Sequence, residues 1–289
     1  MTPAGVCDSQ ATIVYNALRT VLAALCRWGA SNMIELEAAN TGKVLVIGHR
    51  GALGHAPENT MVSFKMGWEL GADLLELDIH MSRDGELIVM HDADVSRTAD
   101  GRGRIKDMTL AEIKELDAGS WFAARFQGER VPTLNEVLDW AKGRIPLAIE
   151  IKGDPLPAPD IEEKLVEMLR TQDMLDEVIV ISFHHPSVKR VKELEPTLAT
   201  GILYSGRLVD TVGAAKAAMA DSVRPSWAYW TAELVDQVHA AGLTASTWNA
   251  DDEKLMEYLV GLGIDSIGAN YPDRLRAFLD RNGLGWSSS

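Results

Sequence analysis

The feature that most constrains the fold is a regular alternation of short apolar runs and longer amphipathic stretches from residue 44 onward. The apolar runs are VLVIG, LLELDIH, ELIVMH, PLAIEI, VIVISF, LATGILY, LTASTW and IDSIGA. Most are separated by helical stretches of ten or more residues, and some of these carry a helix N-cap, such as Thr60 before MVSFKMGWELG and Thr231 before AELVDQVHAAG. Alternation of this kind predicts an α/β fold with a parallel sheet.

Eight candidate strands in one domain favour a (β/α)8 TIM barrel over an open, doubly wound sheet. No Gly-rich dinucleotide fingerprint follows the first strand, as an open nucleotide-binding sheet would require. Polar residues also stand at the carboxyl ends of several strands, and a barrel gathers those ends into one site. These residues are His49, Arg50, Glu76, Asp78, His91, Glu150, Lys152, Ser182 and Trp248.

Two segments depart from the alternation. Residues 1–40 include ATIVYNALRTVLAALCRW, which has one apolar face and is too interrupted by charge to span a membrane. We interpret it as an N-terminal helical extension that packs on the domain or on a partner subunit, rather than as a targeting signal. The barrel is assigned to residues 41–289. Within it, residues 93–130 are too long for an ordinary loop and predict a small inserted subdomain after the second-strand region.

Composition limits the partners. The chain has 28 Lys and Arg against 42 Asp and Glu, a formal net charge of −14. Such a field repels polyanions, so we expect no nucleic-acid partner, and a small anionic substrate needs a local cluster of cations. The two cysteines, Cys7 and Cys26, form neither a metal motif nor a disulfide framework. Together with the lack of a transmembrane segment, this predicts a cytoplasmic protein.

Two strand patterns indicate a metal site. In LLELDIH, Glu76 and Asp78 are two residues apart and therefore leave the same face of a strand, and Glu150 and Lys152 repeat this spacing in AIEIK. Buried carboxylates side by side repel each other unless a cation binds them. Three carboxylates without cysteine suit Mg²⁺ or Ca²⁺ better than zinc. The alternative, a solvated sheet edge, conflicts with barrel strands that are buried on both faces.

The histidines extend this site. His49 and His91 each follow an apolar run and precede a charged residue. A lone histidine here is most often structural, but two of them beside acids and the cations Arg50 and Lys152 form a different set. Hydrolysis of a phosphodiester needs its oxygens neutralised, a nucleophile deprotonated and a leaving alkoxide protonated. The residues alone therefore predict a metal-assisted reaction on a small phosphate-like anion.

Five motifs, in this order and spacing, resemble the glycerophosphodiester phosphodiesterase family: GHRGALGHAPENT, LLELDIHMSRDGELIVMHD, RTADGRG, ERVPTLNEVL and LAIEIK. The resemblance runs from about residue 44 to residue 282. It implies a TIM barrel, one divalent metal ion, and hydrolysis of glycerophosphodiesters to sn-glycerol 3-phosphate and an alcohol, in lipid and glycerol metabolism. It also implies that residues 93–130 contact the glycerol moiety.

Matched position by position, the resemblance implies roles for single residues. The paired catalytic histidines of the family fall on His49 and His91. Its metal-binding carboxylates fall on Glu76, Asp78 and Glu150. Which histidine acts as acid stays open, as does the choice between water and a neighbouring glycerol hydroxyl as the attacking group.

The remaining matched positions are cationic, aromatic or supporting residues. The phosphate-contacting arginine of the family falls on Arg50, and its lysine falls on Lys152. Trp248 matches an aromatic residue that lines the site from a late strand. In the turn APENT, Glu58 and Asn59 are expected to support the site from behind its primary ligands. Gly51 is expected to let the backbone approach the substrate.

Three departures from the family pattern are visible. His55 stands where relatives carry a bulky apolar or tyrosyl residue, and Asn270 stands where Asp is common. The segment RPSWAYWTAEL lacks the usual Asn-Pro and offers Trp227, Tyr229 and Trp230. This cluster is interpreted as core or as an oligomer contact, ahead of a choline-binding cage. A homo-oligomer could form through it or through the N-terminal helix.

Two functions other than glycerophosphodiester hydrolysis are alternatives for this sequence. The first is a lysophospholipase D-type activity, which predicts an apolar groove near the barrel mouth. The second is a non-catalytic barrel that binds phosphodiesters, which predicts that at least one ligand or histidine is missing. None of the matched residues is missing, so the sequence favours the hydrolase.

Overall fold

A computed structural model describes residues 41–286, and the predicted helical extension over residues 1–40 lies outside the described residues. Eight parallel strands close into a barrel, because the first strand pairs with both the second and the last. The predicted (β/α)8 barrel is confirmed. In chain order, the strands are β1 (Leu45–Gly48), β2 (Leu74–Met81), β3 (Leu87–Val89), β4 (Leu147–Ile151), β5 (Val178–Ser182), β6 (Ala199–Tyr204), β7 (Ser222–Pro225), β8 (Thr244–Thr247) and β9 (Ser266–Ala269).

Helices follow the barrel strands and cover the outside of the barrel. They begin where the sequence offers a cap: the Thr60 side chain accepts a hydrogen bond from the N–H of Ser63, and Thr231 does the same for Leu234. The α-helices are α1 (Met61–Glu69), α2 (Leu110–Lys114), α3 (Leu134–Ala141), α4 (Ile161–Gln172), α5 (His185–Leu194), α6 (Thr211–Ala217), α7 (Ala232–Ala240), α8 (Glu253–Leu262) and α9 (Pro272–Arg281).

The strand list from the sequence is wrong at one place. The run ELIVMH is not a barrel strand, because β3 pairs antiparallel with β2 outside the barrel. The eighth barrel strand is instead β7, whose sequence SVRP is short and polar and was missed. Parallel pairing of β7 with β6 and β8 supplies the position that ELIVMH was expected to fill.

The barrel wall separates two apolar clusters. Residues such as Leu75, Leu77 and Ile79 of β2 pack outward with the helices, whereas Leu74 belongs to an inner cluster that includes Ile181. Alternation along β2 therefore turns Glu76 and Asp78 inward.

Residues 93–130 fold beside β3 around an apolar cluster of their own, which includes Val95, Ile105 and Ile113. They contain α2 and three short 3₁₀ helices, at Val95–Arg97, Ile105–Asp107 and Ala124–Phe126. In the described range, no helix combines the length and apolarity needed to cross a membrane.

Candidate active site

A pocket of about 250 Å³ opens where the barrel strands end. It brings together residues that are far apart in sequence, because the carboxyl ends of parallel barrel strands share one rim. The predicted site residues in its lining are His49, Arg50, Glu76, His91, Glu150, Lys152 and Trp248. Three further predicted residues, Glu58, Asn59 and Asp78, are buried beside this lining.

The three acids are brought together by strand register. Asp78 of β2 is paired with Glu150 of β4, and Glu76 lies two residues before Asp78 on the same inward face. One carboxylate oxygen from each lies within 4.8 Å of the other two. Asp78 Oδ1 is buried and accepts no hydrogen bond. The three residues thus fit a divalent cation, which would take carboxylate oxygens at this spacing.

The electrostatics of the acids agree with that fit. Burial and the charge of Asp78 raise the pKa of Glu76 well above its usual value. Burial and Asp78 also raise the pKa of Glu150 to about 7, against the opposing effect of Lys152. Burial disfavours ionisation of Asp78 as well, but Lys152 and Arg50 outweigh it and hold the pKa of Asp78 below its usual range. The raised pKa values of Glu76 and Glu150 reflect the cost of holding adjacent buried carboxylates without a cation, and a bound cation would favour their ionised forms.

Two cations stand beside the acids. Lys152 Nζ lies 2.8 Å from Glu150 Oε1 and 3.5 Å from Asp78 Oδ1, and Arg50 Nε lies 3.4 Å from Asp78 Oδ2. Arg50 Nε is buried and donates no hydrogen bond. The pair can therefore help to hold the negative oxygens of a phosphodiester.

A tight turn after β1 positions Arg50. Arg50 and Gly51 both have positive φ angles, +48° and +90°, and the backbone N–H of Arg50 donates to Glu76 Oε2 over 2.9 Å. A Cβ atom at Gly51 would lie 2.5 Å from Ser63 Oγ. Gly51 thus lets the backbone pack closely against α1, whereas the expectation from the sequence was a close approach of the backbone to the substrate.

His49 directly follows β1 and is held by residues that follow β8 and β9. Asn270 donates its amide to Asp251 (2.6 Å), so its Oδ1 accepts from His49 Nδ1–H (2.6 Å), and the side-chain amide nitrogen of Asn249 lies 3.0 Å from the same ring nitrogen. Nε2 then carries the lone pair, and it lies 4.0 Å from Glu76 Oε2. Burial and the charge of Arg50 lower the pKa of His49 to about 4.

His91 has a different partner. Its Nδ1–H donates to Asp92 Oδ1 over 2.7 Å, which leaves Nε2 for the pocket. Burial lowers the pKa of His91, while the charges of Asp78 and Asp92 work in the opposite direction. A carboxylate behind one ring nitrogen stabilises the imidazolium form, which a general acid requires.

Arg97 connects the two sides of the site. Its Nε donates to Asp92 Oδ2 (2.5 Å), and its two terminal nitrogens donate to the two oxygens of Glu58 (2.7 and 2.9 Å). Glu58 Oε1 also accepts from Arg50 (2.7 Å). Burial disfavours the Glu58 carboxylate, but Arg97 and Arg50 outweigh this effect and lower its pKa. One chain of charge-assisted hydrogen bonds thus links His91 to Arg50.

Asn59 contacts one of the predicted metal ligands, Asp78. Its amide donates to Asp78 Oδ2 (2.8 Å), and its Oδ1 accepts from the backbone N–H of Asp78 (3.3 Å). Asn59 holds a φ of +56°, a conformation that Asn tolerates better than most residues. It thereby fixes the orientation of one predicted ligand.

The wall of the pocket away from the acids is apolar and aromatic. Ile181, Leu203 and Phe183 line it, and the rings of Phe183 and Trp248 meet edge to face with centroids 5.8 Å apart. Arg224 lies in the same wall, and its carbonyl accepts from the Trp248 indole N–H (3.0 Å).

Several other sequence candidates lie elsewhere. Ser182 is fully buried and its hydroxyl donates to the carbonyl of Ile151. His55 contacts Asp273 (2.9 Å) and the ring of Tyr271. The residues of the predicted aromatic cluster do not share one environment. Trp230 is buried in the core and its indole N–H donates to the carbonyl of Ser246, whereas Trp227 is exposed.

Sequence reasoning did not assign Asp92, Arg97 and Arg224 to the site. In the sequence, Asp92 is visible only as the charged residue after His91, and Arg97 only as part of the family motif RTADGRG. Two residues that follow β8 and β9, Asn249 and Asn270, contact His49. The position of Asn270 after the last strand was a usable signal.

Comparison with known proteins agrees with this geometry. The model of the glycerophosphoryl diester phosphodiesterase family matches residues 49–274. The chain belongs to this family. A glycerophosphodiester phosphodiesterase of Caldanaerobacter subterraneus subsp. tengcongensis is 40% identical over 242 residues, which are 83% of this chain and 100% of the relative. A glycerophosphodiester phosphodiesterase of Bacillus subtilis is 36% identical and covers 80% of this chain and 85% of its own.

Solved structures of family members have the same fold. The phosphodiesterase of Oleispira antarctica, in complex with the product sn-glycerol-3-phosphate, is 30% identical with a TM-score of 0.77 and covers 84% of this chain and 99% of its own. A glycerophosphoryl diester phosphodiesterase structure from Silicibacter pomeroyi is 26% identical with a TM-score of 0.77, over 86% of this chain and 99% of its own. The predicted resemblance and the predicted class of enzyme, a glycerophosphodiester phosphodiesterase, are confirmed.

Proposed function

We propose that this enzyme hydrolyses glycerophosphodiesters to sn-glycerol 3-phosphate and an alcohol by histidine general acid and base catalysis. The proposal rests on one observation: three acids, two cations and two histidines lie together at one pocket. The product named for the Oleispira antarctica relative supports the same products here.

The proposed metal ligands are Glu76, Asp78 and Glu150, and the proposed ion is Mg²⁺ or Ca²⁺. When bound, such a cation supplies positive charge to the phosphoryl oxygens and lowers the pKa of an attacking hydroxyl. Arg50 and Lys152 add charge-assisted hydrogen bonds to the same oxygens.

The surroundings of the two histidines support different roles. His49 has a low pKa and an amide partner on Nδ1, so its Nε2 is available to accept a proton from the attacking hydroxyl. Burial lowers the pKa of His91 as well, but its carboxylate partner on Nδ1 opposes this shift and favours the protonated ring that a general acid needs. We therefore assign His49 as the base and His91 as the acid.

The test uses two glycerophosphodiesters that differ in leaving group, an ordinary alcohol and p-nitrophenol. His49→Ala and His91→Ala should each lower kcat with the alcohol substrate by about 100- to 10,000-fold. Only His91→Ala should recover with p-nitrophenol, because that leaving group needs no protonation. The control His55→Ala should keep wild-type kcat, since His55 lies against Asp273 and Tyr271.

Each outcome bears on a separate part of the proposal. Near-normal activity of either pocket variant would remove that histidine from the mechanism. Recovery of His49→Ala instead of His91→Ala would exchange the two roles. Release of a product other than sn-glycerol 3-phosphate, seen by phosphorus NMR, would contradict the proposed reaction.

A lysophospholipase D-type activity is the second candidate, because large apolar side chains are exposed on the loops that follow four neighbouring barrel strands, and one of them, Phe183, lines the pocket. They stand on the loops after β4, β5, β6 and β7: Leu156, Phe183, Leu208 and Trp227. Lysophosphatidylcholine tested beside glycerophosphocholine separates the two activities.

A cytoplasmic location and a role in lipid and glycerol metabolism stay predictions.

A further inference from the structure

The charged and the apolar residues of the active-site pocket lie on different strands. The proposed metal ligands and the cations Arg50 and Lys152 lie on β1, β2 and β4 or directly after them, and these strands are neighbours in the barrel. The strands from β5 to β8 are also neighbours, and they carry the apolar residues of the pocket. Those residues are Ile181, Phe183, Leu203 and Trp248. The pocket therefore has one charged half and one largely apolar half.

The accessible surface of the apolar half is aromatic. Phe183 is 46% exposed and Trp248 is half-buried, and the two rings meet edge to face. Arg224 belongs to the same half, but it is 3% exposed and has Ser222 and Ser246 among its partners. A ligand that enters this half therefore meets the rings of Phe183 and Trp248 first.

Apolar surface continues outward from these rings. The backbone N–H of Trp227 donates to the carbonyl of Trp248 over 3.3 Å, so the loop after β7 lies against the residue that follows β8. Trp227 is 42% exposed, and Leu208 on the loop after β6 is 39% exposed. In the part of the chain that the structure describes, the residues lining this half of the pocket include no Asp or Glu. A cationic head group would find no anionic partner there.

The two arms of a bound phosphodiester differ in what they need from this surface. Under the proposed function one arm is glycerol, whose two free hydroxyls would lose hydrogen bonds to water against aromatic rings. The other arm is the alcohol that leaves. An apolar alcohol gains free energy when the same rings remove it from water.

We propose that Phe183 and Trp248 form a subsite for the alcohol arm, which selects glycerophosphodiesters whose alcohol is an apolar alkyl or aryl group. This inference rests on the proposed function and names its substrate class. The charged half holds the phosphodiester, and the apolar half distinguishes one alcohol from another.

The experiment uses glycerophosphodiesters of ethanol, butanol and hexanol, which all carry one negative charge and differ only in methylene groups. In the wild-type enzyme with a divalent metal, kcat/KM should rise by about two- to fourfold for each added methylene, the upper figure being that for a fully buried CH₂. In Phe183→Asn the rise should be less than about half as steep. Phe183→Leu should keep most of the rise, because leucine restores apolar surface at the same position.

Met219→Asn is the matched control. Met219 is an exposed apolar residue in the turn between α6 and β7, and it does not line the pocket. Its φ of +56° suits Asn, so this variant should fold and should show the wild-type dependence on chain length. An equal loss of the dependence in Met219→Asn and Phe183→Asn would overturn the proposal.

Two further substrates test which arm and which chemistry the subsite takes. One is the uncharged carbon isostere of glycerophosphocholine, in which a carbon atom replaces the ammonium nitrogen, and its kcat/KM should exceed that of glycerophosphocholine. A preference for the cation would indicate a choline site and would overturn the apolar subsite. The other is lysophosphatidylcholine with a short acyl chain, below its micelle concentration. An increase with acyl length on the glycerol arm, without one on the alcohol arm, would also overturn the proposal.

The remaining outcomes separate this inference from the proposed function. A wild-type kcat/KM that is independent of chain length overturns the subsite, even if Phe183→Asn fails to fold. If the wild type hydrolyses none of the glycerophosphodiesters with a divalent metal present, the proposed function itself fails. Competitive inhibition by monoethyl and monohexyl phosphate measures the arm without catalysis, and the hexyl ester should bind the wild type more tightly than the ethyl ester.

Discussion

At the scale of single residues, the least expected feature is the position of Arg97. It lies outside the barrel, in residues 93–130, yet it holds the carboxylate of Asp92 that orients His91. It also shares Glu58 with Arg50, whose backbone N–H and side chain contact two of the proposed metal ligands, Glu76 and Asp78. We therefore propose that Arg97 is a positioning residue, which orients His91 and Arg50 through Asp92 and Glu58.

We expect Arg97→Gln to lower kcat by about 10- to 100-fold, the usual cost of losing a supporting hydrogen bond behind an active-site group. KM should change less, because Arg50 and Lys152 are still present to bind phosphate. The pH dependence of kcat should also move, since a free Asp92 carboxylate no longer holds His91 in one orientation.

The control for this variant is Arg83→Gln. Arg83 forms an exposed ion pair with Glu112 at 3.3 Å, and such surface pairs contribute little. Steady-state kinetics over a range of pH compares the two variants. Equal activity of Arg97→Gln and Arg83→Gln, with the same pH profile, would show that Arg97 has no part in positioning His91.

At the scale of elements, the acid triad results from the register of two strands. Asp78 and Glu150 face each other because β2 and β4 pair in parallel with those residues aligned. A shift of one residue would turn the acids into the apolar layer under the helices. The site is thus as rigid as the barrel wall that carries it.

This register buries Glu150 beside Asp78, and the raised pKa of Glu150 predicts how metal binding depends on pH. Without metal, the folded-state pKa of Glu150 is about 7, above the ordinary value of 4.5, so stability from the protonated group is lost as pH rises toward 7. A cation binds only the deprotonated acids. We therefore expect the increase in Tm caused by Mg²⁺ or Ca²⁺ to be small near about pH 5.5 and to grow up to about pH 8.

Thermal unfolding with and without metal at several pH values tests this expectation. Glu150→Gln removes the titrating ligand, so its metal-induced increase in Tm should be smaller and should depend less on pH. Glu136→Gln, a change to an exposed acid of α3, is the control and should respond as the wild type does. An increase in Tm that is independent of pH in the wild type would contradict the raised pKa of Glu150.

The elements also show which parts of the barrel the sequence could predict. Most barrel strands are apolar or β-branched runs because both of their faces are buried. ELIVMH has the same pattern for another reason: its strand β3 is buried between β2 and the cluster around Ile105. SVRP lacks the pattern because its inward positions hold Ser222 and Arg224. Polar residues that face the barrel interior thus removed the apolar pattern by which β7 could have been predicted.

At the scale of the whole molecule, the barrel explains why most site residues could be predicted. Polar residues at strand ends have no role in packing, so Glu76, Glu150 and Lys152 stood out against apolar runs. Contacts between loops produce no comparable pattern in the sequence. In the link from Asp92 through Arg97 to Glu58, Arg97 and Glu58 are 39 positions apart in the sequence, and only the folded chain brings them together.

The net charge of −14 gives the last prediction, which concerns association with substrate. The overall field repels an anion, whereas the attractive cations Arg50 and Lys152 are mostly buried and act at short range. Salt screens the long-range field first, since the Debye length falls from about 30 Å at 0.01 M to about 8 Å at 0.15 M. We expect kcat/KM for glycerophosphoglycerol, which has one net negative charge, to rise a few fold over that range.

Zwitterionic glycerophosphocholine is the matched control, because a substrate without net charge feels little long-range force and its kcat/KM should stay nearly constant. Steady-state kinetics on both substrates, at fixed metal and pH, measures the difference. A fall in kcat/KM for glycerophosphoglycerol with added salt would mean that local cations, rather than the net charge, govern encounter. In that case the positive charge at the mouth would extend beyond Arg50 and Lys152, and exposed cations such as Arg207 would be the first to examine by substitution.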